Sequence, residues 1–360
     1  MKKVNIAALL ILSILSFPCF SQKSKAKENI KLSDIQVIGS HNSYKIAIEK
    51  PLMDYLIQKN PQIQSLEYEH IPLTEQLNLG LRGLELDVFY DPKGGYYSNP
   101  KGLDIVRASG NTPLPFDEEE KLKEPGLKIF HVQEIDFRSH NLLFKDALLE
   151  LKNWSEANPG HTPIIITMNT KDGEVPQTRK PLPFTADALH SIDKEIRDVF
   201  EDNQLITPDV VRGDSETLEN AVLTKGWPLL KDVKNRFLFV LDEGDEKAEA
   251  YLTKFTNLEG AVLFLNREAE SPNAGFMIIN DPVKNFDKIK SMVSLGYMVR
   301  TRADSGTEEA RNNDYSRFEK AKASGAQIIT TDYYTPSTLF KSDFKVSFEN
   351  SRFEKIKNSN

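Results

Sequence analysis

The sequence predicts an α/β fold: a single-domain (β/α)8 barrel of the TIM type, with long loops after its strands. Three observations carry this. Runs rich in β-branched residues recur along the 360-residue chain, mostly with helical or loop stretches between them. Near-continuous apolar strands alternating with helices read as a parallel sheet covered by helices. Polar residues collect at the C-terminal ends of these strands, the end at which such barrels carry their sites. The competing doubly wound sheet lacks its signature, because no glycine-rich phosphate loop follows the first strand.

The chain opens on Met1-Lys2-Lys3, an apolar run from Ile6 to Phe20, and Ser21-Gln22. A basic start, a short apolar core and a small residue before a polar stretch read as a secretory signal peptide, residues 1–21, cut after Ser21. The run is shorter than the ~20 residues that span a bilayer. Cys19 raises a lipoprotein alternative, but Phe17-Pro18 stand where that motif wants small residues. With the cut at Ser21 the only cysteine leaves with the signal, so no disulfide or thiol chemistry is expected. The expected location is secreted or periplasmic. The formal charge is −7. That balance argues against nucleic acid and against strong electrostatic attachment to anionic membranes.

A polar segment, 22–30, precedes the barrel, 31–340. Nine runs compete for its strands: 34–39, 83–89, 127–132, 163–169, 237–242, 261–265, 276–280, 297–302 and 326–332. The run 261–265 is read as accessory, since no helix-length segment separates it from Phe276. Leu143, Ala147, Leu148, Leu151 and Trp154 fall at helical spacing and stop at Asn158-Pro159-Gly160. Thr185 caps a helix whose apolar face is Leu189, Ile192, Ile196, Val199 and Phe200. Phe286, Ile289, Val293 and Leu295 mark another. The long connections, Tyr90 to Gly126 and Thr170 to Arg236, are functional candidates. Residues 341–360 read as a charged tail, disordered at its end.

The strand Gly83 to Phe89 poses the chemical question. Strand side chains alternate, so Glu85 and Asp87 share one face and Leu84, Leu86 and Val88 the other. Burying two such carboxylates is costly without compensation. Other polar groups fall at the same barrel end: His41, Asn42, His131, Asn169, Lys171, Asp172, Arg300, Arg302 and Asp332. Hard oxygen donors (Asn42, Glu85, Asp87 and Asn169) without thiolate favour calcium or magnesium over zinc. Histidines beside that metal suit proton transfer, and arginines suit phosphate. The set describes phosphodiester cleavage. The alternative for Glu85 and Asp87 is a salt-bridge site for Arg300 and Arg302. His70, His140, His161 and His190 read as structural.

The chain also resembles the secreted bacterial calcium-dependent phosphoinositide-specific phospholipases C, of the PLC-like phosphodiesterase superfamily. The likeness runs from about Ile35 to Tyr334. It rests on His41-Asn42-Ser43-Tyr44, Tyr68-Glu69-His70 with Pro72-Leu73 and Glu75-Gln76-Leu77, and the run Arg82 to Val88. It continues through His131-Val132, Asp136, Trp154-Ser155, Pro163 to Asn169, Lys171-Asp172, Asn280-Asp281-Pro282, Val299 to Asp304, Asn313-Asp314 and Ser324 to Gln327. The resemblance implies calcium, rather than magnesium, held by Asn42, Glu85 and Asp87, with His41 and His131 as the catalytic pair. The family's fourth metal position is usually Glu. Asn169 stands there in this sequence, at the loss of one negative charge, unless Asp172 or a water compensates.

The reaction so implied is attack of the inositol 2-hydroxyl on phosphorus, releasing diacylglycerol and a cyclic inositol phosphate. Glu85 or Asp87 would act as base, and Lys171, Arg300 and Arg302 would contact substrate. The expected partners are a phospholipid or glycerophosphodiester substrate and, transiently, a membrane surface, with the protein a monomer. Two alternatives stand beside this: a glycerophosphodiester phosphodiesterase on soluble diesters, and an inositol-phosphate-binding barrel without turnover.

Overall fold

The computed structural model describes residues 29–357. The signal-peptide reading falls outside these residues. Ten strands form one sheet: β1 (Ile35–Ser40), β2 (Gly83–Phe89), β3 (Lys128–Ile129), β4 (Ile164–Thr170), β5 (Phe237–Leu241), β6 (Leu263–Leu265), β7 (Phe276–Ile278), β8 (Met298–Arg302), β9 (Ile328–Thr331) and β10 (Glu354–Ile356). Eight run in the order β6-β5-β4-β2-β1-β9-β8-β7, with each neighbouring pair parallel. A parallel bridge between Asn266 and Phe276 links the two ends, and Asn266 Oδ1 accepts from the Ile278 amide at 3.0 Å. The result is a nearly closed eight-stranded parallel barrel.

The expected fold is correct, but two strands exchange roles. The run 261–265 supplies a true barrel strand, β6, paired to β5. The run 127–132 supplies only β3, which turns back antiparallel on the upper end of β2, pairing Val88 with Ile129. The reason is local. The Tyr90–Gly126 connection contains the helix Lys101–Ala108 but returns to the same end of β2. There it packs Tyr97 and Leu122 onto Phe89 and Phe130. A barrel neighbour would have required a crossover to the opposite end of the sheet.

Leu84, Leu86 and Val88 join the main apolar cluster with Phe144, Leu148 and Leu151 of the helix Phe144–Ala157. The Thr185 hydroxyl accepts from the Ala188 amide and starts the helix Ala186–Val199, whose Leu189, Ile192 and Ile196 are buried. The helix Phe286–Leu295 stops at Gly296, in the left-handed region at φ 110°. The segment read as a charged tail is packed. Phe344, Val346 and Phe348 are buried against Ile38 and Phe318. β10 then pairs antiparallel with Ile35–Val37, along the part of β1 that β2 leaves unpaired. Apolar residues at every second position, 344, 346 and 348, are the strand-like signal beneath the charge.

Candidate active site

The β2–β4 register sets Asp87 beside Asn169 and Glu85 beside Thr167. Both carboxylates are buried, and each has a resident cation. Glu85 Oε2 accepts from Arg300 Nη2 on β8, and Arg300 Nη1 donates to Asn280 Oδ1 at 2.5 Å. Asp87 Oδ2 lies 2.8 Å from Lys171 Nζ and accepts from the Tyr44 hydroxyl at 2.8 Å. Asp87 Oδ1 is buried with no partner. Burial alone would raise the Glu85 carboxyl; Arg300, with smaller help from His41 and Arg302, holds it below its usual range.

β1 delivers the next group. Asn42 adopts φ 49°, a left-handed conformation that asparagine tolerates. The turn is stapled to β2: the Ser43 amide donates to Glu85 O at 3.0 Å, and the Glu85 amide donates to Ser43 Oγ at 2.8 Å. Asn42 Nδ2 donates to the Tyr68 hydroxyl at 2.6 Å, and its Oδ1 sits 3.2 Å from the Tyr44 hydroxyl. His41 Nδ1 is 2.8 Å from Asp332 Oδ1, and its Nε2 is 3.2 Å from Arg302 Nη1. A guanidinium only donates, so Nε2 accepts and Nδ1 carries the proton. Arg302 Nη2 also donates to Asp332 Oδ2 at 3.1 Å. Burial opposes ionisation of Asp332, but His41 and Arg302 push its carboxyl far down.

His131 repeats the device. It lies in the loop after β3, not at the end of a barrel strand as expected. Its Nδ1 is 2.8 Å from Asp136 Oδ2, and Asp136 Oδ1 accepts from Lys45 Nζ at 2.6 Å. Lys45 belongs to the His41–Asn42 turn, so this pair ties the second histidine to the first. Lys45 and Asp136 are wholly buried, whereas the His41 and His131 side chains are 17% and 18% exposed. Each imidazole thus reaches the mouth backed by a buried carboxylate, itself neutralised by a base: buried Lys45 for Asp136 and the partly exposed Arg302 for Asp332. Burial raises the Asp136 carboxyl, and Lys45 and His131 bring it below its ordinary value.

Asn169 Nδ2 donates to Asp242 O at 2.6 Å, which leaves its Oδ1 as the donor atom for the mouth. Asp172 is engaged elsewhere: its oxygens accept from Lys247 Nζ and the Phe184 amide, at 2.8 and 2.9 Å. Among the described residues, no three His, Cys, Asp or Glu side chains stand as a metal-holding group. The set that fits a metal is instead two carboxylates and two amides, Glu85, Asp87, Asn42 and Asn169. All four donate hard oxygen, and the unpartnered Asp87 Oδ1 is the atom a hard cation would satisfy.

Arg300 differs from the expected substrate contact: it is 1% exposed and spent on Glu85 and Asn280. The salt-bridge alternative describes it. Arg302 pairs with Asp332 and not with the β2 carboxylates, and it keeps one Nη beside His41. Sequence reasoning assigned no role to Tyr44, Lys45, Tyr68, Asp136 or Asp332. Asp332 at the end of the last strand was visible. His131 and Asp136, five residues apart, carried no signal that they meet. The other four histidines bind backbone carbonyls or a serine: His70 to His41 O, His140 to His70 O, His190 to Tyr251 O, and His161 to Ser155 Oγ and Thr162 O.

Two histidine–aspartate pairs around a cluster of oxygen donors, at the mouth of a parallel barrel, are the equipment of a metal-assisted phosphodiesterase. The chain belongs to the calcium-dependent phosphoinositide phospholipase C family: the model for "Phosphoinositide phospholipase C, Ca2+-dependent" matches residues 30–358. It is therefore an enzyme of the phosphoinositide-specific phospholipase C kind, with calcium as cofactor.

Solved structures agree on the fold. A calcium-dependent phosphoinositol-specific phospholipase C from a Gram-negative Pseudomonas species, in a myo-inositol complex, superposes with a TM-score of 0.54 at 15% identity. The match covers 92% of this chain and 97% of that one. A calcium-dependent phosphatidylinositol-specific phospholipase C from Streptomyces antibioticus gives 0.51 at 17% identity, over 85% and 95% of the two chains. No curated protein matches the chain.

Proposed function

We propose that this enzyme cleaves phosphatidylinositol to diacylglycerol and a cyclic inositol phosphate. The observation that carries the reading is the paired arrangement of His41–Asp332 and His131–Asp136 at one mouth, beside a buried carboxylate oxygen with no partner. Calcium would be held by Asn42, Glu85, Asp87 and Asn169, and when bound it supplies positive charge that acidifies the 2-hydroxyl and offsets the phosphodiester.

The chain's own groups do the rest. Glu85 or Asp87 receives the 2-hydroxyl proton. The 2-oxygen forms its bond to phosphorus as the bond to the glycerol oxygen breaks. His131, with Nδ1–H anchored on Asp136, gives a proton from Nε2 to that leaving oxygen. Arg302, 3.2 Å from His41 Nε2, faces the phosphate and stabilises its charge, and His41 adds to this once Nε2 takes up a proton. Arg300 keeps Glu85 ionised and in place.

The basic, apolar and small-residue succession of residues 1–21 supports secretion or a periplasmic location after cleavage at Ser21. Transient contact with a membrane surface follows from a phospholipid substrate, and we read the protein as a monomer. Leu114, 58% exposed in the Tyr90–Gly126 connection, is the apolar side chain offered for it.

Phosphorus NMR of the products from phosphatidylinositol vesicles, with glycerophosphoinositol assayed alongside, tests this. A cyclic inositol phosphate from the vesicles is expected. His41→Ala and His131→Ala should each lower turnover by about 10²–10⁴-fold without loss of fold. Cleavage confined to glycerophosphoinositol would overturn the substrate.

A further inference from the structure

The two carboxylates at the centre of the mouth are neutralised in different ways. Arg300 is a fixed counter-ion. Its side chain is 2% exposed, and it is gripped by Glu85 on one side and Asn280 on the other. Lys171 is less tightly enclosed. It follows β4 directly, with its amide donating to Val88 O at 2.8 Å, so its backbone is anchored beside the strand that carries Asp87. Its side chain, however, comes in from the rim and is 31% exposed, with Nζ 2.8 Å from Asp87 Oδ2. Asp87 itself is wholly buried, and its second oxygen has no partner.

We propose that Lys171 is a displaceable counter-ion: it neutralises Asp87 in the metal-free protein, yields that carboxylate to calcium, and then offers its ammonium to the substrate phosphate. This rests on the calcium-dependent cleavage proposed above. A buried carboxylate stripped of both metal and ammonium is strongly unfavourable, so a resident cation keeps the empty site folded. Once a divalent cation sits on Asp87, the ammonium beside it is repelled by two charges at close range. The site has little spare negative charge to hold both, because Asn169 is neutral and Glu85 is committed to Arg300.

The carboxylates at the rim beside the released side chain, Glu243 and Asp172, are already engaged by other donors. Glu243 accepts from the Thr170 amide and hydroxyl and lies 3.2 Å from Lys247 Nζ. Asp172 is bound to the same Lys247 and to the Phe184 amide. The freed ammonium therefore meets only rim carboxylates that Lys247 already neutralises, and a phosphodiester is its stronger partner.

Calorimetric titration of calcium chloride into the calcium-depleted full-length protein, without substrate, tests the exchange. Lys171→Met removes the competitor, so its calcium dissociation constant should fall about tenfold or more against wild type. Asp87→Asn should weaken binding in either background. An unchanged or weaker affinity in Lys171→Met, with circular dichroism intact, would overturn the exchange while leaving the calcium site standing. If neither wild type nor Lys171→Met takes up calcium, the metal reading falls and this inference falls with it. A calcium-soaked crystal of the wild type gives a readout that needs no variant. Lys171 Nζ should lie beyond hydrogen-bond reach of Asp87, and an ammonium still at 2.8 Å beside bound calcium would overturn the proposal.

Discussion

His70 stands just outside the reacting groups and has a measurable signature. Its Nε2 donates to His41 O at 2.6 Å, and its own carbonyl accepts from His140 Nε2 at 2.6 Å. Burial above all pushes its imidazole from the ordinary 6.5 down to about 4. The folded protein therefore refuses a proton that the unfolded chain takes up between those values. Stability from this residue is fully present above pH 6.5 and is lost as the pH falls toward 4, by on the order of 3 kcal/mol. Urea midpoints at pH 7 and pH 4.5 check this. His70→Gln should lose clearly less stability on acidification than the wild type, and an equal loss would show that His70 does not carry the slope.

At this scale the sequence exposed half of each pair. Glu85 and Asp87 were legible because strand side chains alternate. Arg300 was legible only as an alternative partner of the pair, and nothing tied it to Glu85 in particular, since it lies 215 positions away and only the barrel brings the two together; Lys171 was read as a substrate contact and not as the partner of Asp87. Asp332 meets His41 across 291 positions for the same reason.

Among the elements, β1 and β2 meet at a close seam, where Gly39 and Gly83 are directly paired. A Cβ on Gly39 would stand 2.6 Å from Gly83 O, and backbone there cannot give way as a side-chain tip can. Gly39→Ala should cost about 1–3 kcal/mol, read as a lower Tm, and should displace the His41–Asn42 turn that β1 delivers. An unchanged Tm would mean that the seam relaxes freely.

Three helices were legible from spacing and capping: Thr185 starts one, and Asn158-Pro159-Gly160 follows the end of another. The exchange between β3 and β6 was not. Both runs are short and apolar, and only the return of the Tyr90–Gly126 connection to β2 decides which one joins the barrel. β10 was hidden by its charges, because a strand that covers one edge needs few apolar residues.

For the molecule as a whole, eight parallel strands place His41, Glu85, Asp87, Asn169 and Arg302 at one end of one barrel, and a loop adds His131. That convergence was readable in outline, because barrel sites lie at the C-terminal strand ends and polar residues broke the apolar runs there. The electrostatic balance was not readable. The mouth is no bare acidic cradle; its carboxylates already hold Arg300, Lys171, Arg302 and Lys45. Calcium must act within that balance, with Asp87 as its most available carboxylate.

The most direct test is phosphatidylinositol cleavage followed while free calcium is titrated under chelator control, wild type beside Asp87→Asn. Cleavage by the wild type should vanish in excess chelator and return with calcium. Asp87→Asn should demand far more calcium or fail to recover. Full wild-type activity in excess chelator would contradict calcium-assisted cleavage at this site.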